Sequence, residues 1–269
     1  MPKERLDKIL AKQDQFRSRS QAKRAIMAGL VYVNDQQIDK AGTQVDTEAD
    51  IRVKQDMHSY VSRGGLKLEK AIKEFNLDLS DKIVVDIGAS TGGFTDCSLQ
   101  NGAQKVYAID VGYNQLAWKL RSDDRVVVME KTNARYLEAN DIAEQGDIGV
   151  VDVAFISLTK ILPALQKLLK DDSEIVTLIK PQFEAGPDKV GNNGVVKDPA
   201  IHKEVINKIL DFAVKQGLTP EQLSYSPITG GKGHNIEYLA YFKCGVNDEE
   251  EKFQQEIKQV IKEAHNSLQ

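Results

Sequence analysis

Apolar residues recur along the first part of the chain at helical spacing. Leu6, Ile9 and Leu10 form one such stripe, and Ala22, Ala25, Ile26 and Leu30 form another after Ser18 and Ser20, either of which can cap a helix. Gly29 is placed to end the second helix. Short alternating pieces follow, Val31-Tyr32-Val33, Ile38, Val45 and Ile51-Arg52-Val53, with Asn34-Asp35 as a turn. This pattern predicts a first unit over residues 1–58, two helices followed by a small sheet. Residues 55–62 (QDMHSYVS) form the candidate linker, and residues 59–269 form the second unit.

In the second unit a helix carries the stripe Leu66, Leu68, Ala71, Ile72 and Phe75. Beyond Lys82, strand-like runs at Ile83–Ile87, Lys105–Asp110, Arg125–Met129, Ile148–Val153 and Glu174–Ile179 alternate with helices near Gly93–Gln100, Asn114–Leu120 and Lys160–Leu169. Short strands rich in Val and Ile, separated by helices, predict an α/β fold with a parallel, doubly wound, Rossmann-like sheet covered on both faces. A long helix around His202–Gln216, strand-like runs at Leu223–Pro227 and Asn235–Cys244, and an amphipathic tail with Phe253, Ile257, Val260 and Ile261 complete the pattern.

The composition of the 269 residues, 41% hydrophobic and 28% charged, excludes collagen-like, rod-like and wholly disordered chains. No apolar run approaches the roughly 20 residues of a membrane-spanning helix. The start, MPKERLDKIL, has no apolar core of a secretory signal. Cys97 and Cys244 lie far apart without a CxxC, which argues against a disulfide framework or zinc site and predicts a cytoplasmic protein. Net charge is −4, but its distribution is uneven: residues 1–24 hold eight Lys and Arg against three acids, so the rest of the chain carries −9. A basic end on an acidic body suggests a module that meets phosphate, although a solvated helix face has the same composition.

The basic start, RLDKIL followed by SRSQAKRAIMAGLVYVND, resembles the S4 RNA-binding domain over about residues 3–54. The resemblance implies RNA contacts from Arg5, Lys8, Arg17, Arg19, Ser20, Lys23 and Arg24, with Arg63 beyond the linker. Cations spaced on two packed helices can reach successive phosphates without reading sequence. A basic hairpin that docks on another protein is the alternative.

The segment VVDIGASTGGFTD follows the first strand of the second unit and opens a helix. Glycines 88, 92 and 93 allow a ligand close to the backbone at the carboxyl end of a strand, where doubly wound folds bind ligands; close helix–strand packing also accounts for Gly92-Gly93. The third position of a dinucleotide fingerprint is Ser90 rather than glycine, and Asp86 would repel a pyrophosphate but suits a cationic ligand. The D-x-G-x-x-x-G-G form resembles motif I of S-adenosylmethionine methyltransferases. It makes Asp86, Gly88, Ala89, Ser90, Thr91, Gly92, Gly93, Phe94 and Thr95 candidate cofactor residues. Asp110, ending the second strand, is placed to accept hydrogen bonds from ribose hydroxyls, and Asn133 to contact adenine.

The end of the fourth strand discriminates between methyl acceptors. Asp152-Val153-Ala154-Phe155 lacks the prolines of the D/N-P-P-Y/F motif of amino-group methylation, and neither cysteine is placed for carbon-5 chemistry. Asp152 closes strand four and Lys180 closes strand five, where a buried lysine is costly unless paired. With Lys67 in RGGLKL and Glu237 in HNIEYL, the order Lys–Asp–Lys–Glu resembles the tetrad of FtsJ-type ribose 2′-O-methyltransferases. Lys70 and Lys73 lie close to Lys67, and only its place in RGGLKL selects it. Together with DVGYNQL, DVAFISL and LIKPQFE, these segments resemble the TlyA (haemolysin A) family of ribosomal-RNA 2′-O-methyltransferases over nearly the whole chain.

That resemblance implies S-adenosylmethionine as cofactor, ribosomal RNA or ribosomal subunits as partner, cytidine 2′-hydroxyl as acceptor, no metal, no membrane, and a monomer or weak dimer. Catalysis falls to Lys67, Asp152, Lys180 and Glu237, with Asp152 also beside the cofactor. Lys180 is the candidate base or stabiliser of the developing alkoxide, Lys67 lowers its pKa and positions the ribose, and Asp152 and Glu237 orient the ammonium groups. Which lysine takes the proton stays open, since a base must be partly neutral near pH 7 against an ordinary pKa of about 10.4. The competing readings are a membrane-active haemolysin, a non-catalytic RNA-binding assembly factor and an NAD oxidoreductase.

Overall fold

The computed structural model describes residues 2–13, 16, 18–27, 29–53, 60–191, 193–230, 234–245 and 253–268, without the side chains of Gln21, Arg24 and Gln254. The chain divides into two units, residues 1–57 and 58–269. Arg17, the Arg24 side chain and residues 55–59 of the candidate linker lie outside the described residues.

In the first unit, β1 (Lys3–Arg5) runs into α1 (Leu6–Leu10), which packs on α2 (Arg19–Met27). The strands β2 (Val31–Val33), β3 (Gln36–Ile38), β4 (Gln44–Asp46) and β5 (Ile51–Val53) follow. β2 lies between β3 and β5 in an antiparallel sheet, while β1 pairs with β4. The turn from β2 to β3 takes Asn34 and Asp35 at φ 49° and 63°, the left-handed pair of a tight hairpin. Leu6, Leu10, Ala22, Ile26 and Val31 are fully buried and form the core. The helical stripes expected for this unit therefore face each other.

One carboxylate organises the basic surface. Asp7 is fully buried and accepts hydrogen bonds from Arg5 Nε and Nη2 at 3.0 and 3.1 Å and from Arg19 Nε and Nη2 at 3.0 and 2.9 Å. Two of the expected phosphate contacts are thus held by an acid of their own unit. Lys8, Ser20 and Lys23 stay exposed, and neither lysine has an ion pair among the described residues.

The second unit is built on α3 (Gly64–Phe75), β6 (Ile83–Ile87), α4 (Gly93–Gln100), β7 (Lys105–Ile109), α5 (Trp118–Arg121), β8 (Val126–Met129), β9 (Gly146–Val151), α6 (Leu162–Lys167), β10 (Leu169–Ile179), α7 (Pro181–Glu184), α8 (Pro199–Lys215), β11 (Leu218–Tyr225), β12 (Tyr238–Cys244) and α9 (Phe253–Leu268). The sheet order is β11-β12-β10-β9-β6-β7-β8. β6 to β10 are parallel, as their apolar runs predict. The two strand-like runs expected to end the sheet do so antiparallel, with β12 inserted between β10 and β11.

The pleat sorts the strand residues between two cores. Val84, Val106, Ile148, Val150, Val176, Leu178, Leu239 and Tyr241 meet α3 and α4 on one face. Val85, Ile87, Ile109, Val151, Ile175, Ile179 and Phe242 meet α6, α8 and α9 on the other. This alternation also directs the polar strand ends. Asp86, Asp152, Lys180 and Glu237 continue the parity of the first set, so all four fall on the α3 side.

Two elements differ from the sequence pattern for physical reasons. Residues expected as a helix from Asn114 to Leu120 form a loop with a single turn at α5. The Glu130 carboxylate accepts from the amides of Asn114, Gln115 and Leu116 at 2.8, 2.9 and 3.3 Å, satisfying them without a helix. The strand expected from Leu223 begins at Leu218, because Pro220 sits at a register shift on the sheet edge, where the missing amide costs no ladder bond. Tyr60 and Val61, at the end of the candidate linker, belong to the second unit: Tyr60 packs on its core and the Val61 amide donates to Asp96 Oδ2 at 2.7 Å.

The Asp7 clamp makes the first unit acid-sensitive. The Arg5 hydrogen bond outweighs burial and holds the Asp7 pKa down at about 2, against an ordinary 3.8. Its contribution is present above about pH 4 and is lost as pH falls toward 2. Asp7→Asn is expected to destabilise this unit at pH 7 by about 1–3 kcal/mol, and to flatten its acid unfolding between pH 4 and 2. Circular dichroism melts of parent and variant across that range check this, and an unchanged melting temperature at pH 7 contradicts the clamp.

Candidate functional site

A cavity of about 770 Å³ opens at the carboxyl ends of β6, β7, β9 and β10. It sits where the sheet changes direction: β7 follows β6 on one side, while β9 and β10 lie on the other, so the loops after β6 and β9 part above the sheet. Gly88 lies at this parting, at φ 88°, with an added Cβ only 2.5 Å from the Asp152 carbonyl oxygen. Any side chain would push the two loops apart.

The glycine turn supplies one wall. Gly88, Ala89, Ser90, Thr91, Gly93 and Phe94 line the cavity with Asp110 and Asn133. Asp110 accepts from the Ser90 amide at 2.8 Å and the Gly112 amide at 2.7 Å, which fixes its carboxylate at the rim. Asn133 caps the following turn through the Arg135 amide at 3.2 Å. Three expected cofactor residues, Asp86, Gly92 and Thr95, are not in the lining. Gly92 is packed under Leu116 and Leu120, so close packing accounts for it. Thr95 is fully buried and donates its hydroxyl to Asp86 Oδ2 at 2.6 Å.

Asp86 lies behind that wall, beneath the glycine turn. It is fully buried, and its Oδ1 has no hydrogen-bond partner among the described residues. Burial pushes its pKa up to about 7, against the opposing Thr95 hydrogen bond. A lone acceptor held out of water is an unmet demand for a donor, and a cationic group brought to the turn meets it.

The opposite wall holds an alternating row of charges. Lys180 Nζ lies 2.5 Å from Asp152 Oδ1, Lys67 Nζ lies 3.1 Å from Asp152 Oδ2, and the same Nζ lies 2.7 Å from Glu237 Oε2. Lys67, Lys180 and Glu237 are buried, and Asp152 keeps 18% of its side chain exposed. α3 turns Lys67 inward, on the same side as Leu68 and Ala71. Its neighbours Lys70 and Lys73 instead pair with Glu74 and Glu69 along the helix. Burial pulls Lys67 down, but Asp152 and Glu237 together hold it above the ordinary lysine value. Burial pushes Asp152 up, and Lys67 and Lys180 outweigh it, leaving Asp152 below the usual carboxylate range. All four charged residues expected from the sequence come together here.

Residues not anticipated complete the site. Gly230 leaves room for Glu237, whose Oε1 would lie 2.1 Å from a Cβ there. Gln182 Nε2 donates to that Oε1 at 3.3 Å. Glu184, buried in the PQFE turn, accepts from Ser157 Oγ at 2.6 Å and the Leu158 amide at 2.7 Å, tying the loop after β9 to the loop after β10. Both lie within LIKPQFE, but nothing local distinguishes a tie between loops from a surface polar residue. Phe155 stands at the mouth, 90% exposed at φ 64°, with its ring 5.0 Å from that of Phe183. Arg63 is exposed on the cavity rim.

Comparison with known proteins agrees with this geometry. The family profile described as FtsJ-like methyltransferase matches residues 60–243, and the S4 domain profile matches residues 4–51. YqxC of Bacillus subtilis, provisionally named an rRNA methyltransferase, is 51% identical over 99% of this chain and 95% of its own. The 16S/23S rRNA (cytidine-2′-O)-methyltransferase TlyA of Mycobacterium tuberculosis is 42% identical over 89% of each chain. A solved structure from Streptococcus thermophilus, provisionally named a hemolysin, is 49% identical with a TM-score of 0.79, covering 99% of this chain and 97% of that one.

The raised pKa of Asp86 carries a stability consequence. The folded chain keeps this proton to about pH 7, while the unfolded chain releases it near 3.8, so stability falls as pH rises through that interval. Asp86→Asn removes the effect. The melting temperature of the variant minus that of the parent is expected to climb by several degrees between pH 4 and pH 8, at roughly 2–4 °C per kcal/mol for a domain of this size. Differential scanning calorimetry without ligand checks this, and a difference independent of pH contradicts the assignment.

Proposed function

The chain belongs to the FtsJ-like methyltransferase family, and from that premise we propose that it transfers a methyl group from S-adenosylmethionine to the 2′-hydroxyl of a cytidine in ribosomal RNA. The observation that carries this reading is the row Lys180–Asp152–Lys67–Glu237 on the cavity wall facing the glycine turn. A ribose hydroxyl is a poor nucleophile until its proton leaves, and two lysines held by two carboxylates are suited to take that proton and steady the oxygen.

The other wall fits the cofactor. The unpaired Asp86 Oδ1 suits a methionine ammonium near the turn, and the fixed Asp110 carboxylate suits ribose hydroxyls. Asn133 on the lining is the candidate adenine contact. S-adenosylmethionine supplies, when bound, a methyl group already activated by its sulfonium.

We assign the base to Lys180. Lys67 is held by two carboxylates and raised above its ordinary value, so it keeps its proton at neutral pH. Its role is to anchor Asp152 and Glu237 and to set a positive charge beside the ribose. Lys180 pairs with Asp152 alone among the described residues, and at the end of β10 it faces the cavity directly. Asp152 orients both ammonium groups, and Glu237 holds Lys67 from the far side. The Phe155–Phe183 pair at the mouth offers a face on which a base can stack.

RNA docking falls to the S4-like unit and to Arg63. Lys8 and Lys23 are exposed and have no ion pair among the described residues, whereas Arg5 and Arg19 share their charge with Asp7. Phosphate contacts of this kind position RNA without reading its sequence. The haemolysin reading finds no support in helix lengths: no described helix is long and apolar enough to cross a membrane.

Lys180→Met is expected to lower the rate of methyl transfer to ribosomal RNA by about 10²–10⁴-fold, the usual worth of a general base. Affinity for S-adenosylmethionine is expected to stay within a few-fold of the parent. Single-turnover transfer of labelled methyl, read beside calorimetric titration of the cofactor, separates the two effects. Near-parental turnover in the variant contradicts the assignment.

A further inference from the structure

On the other face of the sheet, α8 and α9 enclose a second hollow of about 430 Å³. Pro199 and Ile261 contribute to its apolar floor, and Lys203, Lys258, Lys262 and His265 stand around it. Among the described residues no carboxylate lines it. None of the three lysines has an ion pair among the described residues, whereas Lys119, Lys167 and Lys170 on the same unit each pair with an acid. Lys258 and Lys262 are one turn apart on α9, and like charges at that spacing disfavour the helix. Three ammonium groups without an ion pair among the described residues thus stand around one apolar floor, where an anion relieves their mutual repulsion.

Hydrogen bonds connect the wall of the hollow to α8 and to the start of β12. His202, buried on α8, has its Nε2 2.8 Å from the Val196 carbonyl oxygen, so Nε2 donates and Nδ1 accepts. The Tyr238 hydroxyl donates to that Nδ1 at 2.6 Å, and His265 Nε2 lies 3.2 Å from the same nitrogen, with the two imidazole ring centroids 5.0 Å apart. His265 in the wall of the hollow is thus tied through His202 to the residue that follows Glu237. The amide of Ala200 in the first turn of α8 is already taken by Asp198 Oδ1 at 2.8 Å, so the lysines, not free helix amides, define the site.

We propose that this hollow is a phosphate site that takes a backbone phosphate of the RNA substrate. The inference rests on the RNA reading given under Proposed function and adds a second point of contact, on the methyltransferase unit itself. Residues 25–269 carry a net charge of −9 and repel a polyanion, so a carboxylate-free cluster of lysines marks a place where RNA can approach. Ammonium groups are compact, strongly charged donors suited to a phosphate oxygen.

The test uses the full chain with Lys203, Lys258 and Lys262 all changed to Gln, set beside the parent. Affinity for ribosomal RNA is measured at several salt concentrations, with KM and kcat for methyl transfer and affinity for S-adenosylmethionine. One lost phosphate contact is expected to flatten the log–log salt dependence by about 0.7–0.9. KM for RNA is expected to rise several-fold, with kcat and cofactor affinity unchanged. Parallel salt slopes with an unchanged KM overturn the inference. So does saturable binding of inorganic phosphate that the substitutions abolish without altering the RNA slope, which identifies a small-anion site instead. A parent chain that leaves ribosomal RNA unmethylated overturns the RNA reading and this inference with it, whereas a methylating parent with parallel slopes removes this inference alone.

Discussion

Everything around the cavity answers to the need to bury two lysines and two carboxylates in one row. Removing a single partner from a buried pair costs about 3–5 kcal/mol, because the charge left behind has no water to turn to. The row runs Glu237–Lys67–Asp152–Lys180, so each charge has an opposite neighbour. It can do so only if three strand ends and one helix deliver their side chains to the same side of the sheet. The pleat does this for Asp152, Lys180 and Glu237, and α3 brings Lys67 from the face they share. Glu184 then holds the loops after β9 and β10 together, and Gly230 gives Glu237 its space.

The glycine turn obeys the opposite logic. Its carboxylate, Asp86, is buried without a cation, and the fold tolerates this by letting its pKa rise to about 7. One wall of the cavity is thus neutralised internally and the other is left incomplete. A site that transfers a group between two bound molecules needs that contrast. In the reaction we propose, the balanced wall manages a proton without recruiting a counterion, while the unbalanced wall gains its partner when a cationic ligand arrives. Stability given up at Asp86 without ligand is the physical form of that binding.

Much of this was legible in the sequence because parity and period are local properties. The runs IVVDI and EIVTLIK announce buried parallel strands, and a charged residue closing each one announces a site. The four charged residues could be named from their segments, and the structure brings them together. Long-range competition for hydrogen bonds was not legible. Glu130 dissolves an expected helix by taking the amides of Asn114 to Leu116 from 14 to 16 residues away. Asp7 takes Arg5 and Arg19 out of the free basic surface. Gly92 and Thr95 belong to the glycine motif, but one packs under leucines and the other serves Asp86, roles set by neighbours distant in sequence. The antiparallel insertion of β12 depends on pairing between segments about 60 residues apart, which no local pattern encodes.

The central claim is that the charge row activates a ribose hydroxyl rather than a base nitrogen or carbon. The most direct measurement is to incubate the full chain with ribosomal RNA and methyl-labelled S-adenosylmethionine, digest the product to nucleosides and identify the labelled one. The account predicts label in 2′-O-methylcytidine. Label in a base-methylated nucleoside, or no transfer to RNA at all, contradicts it.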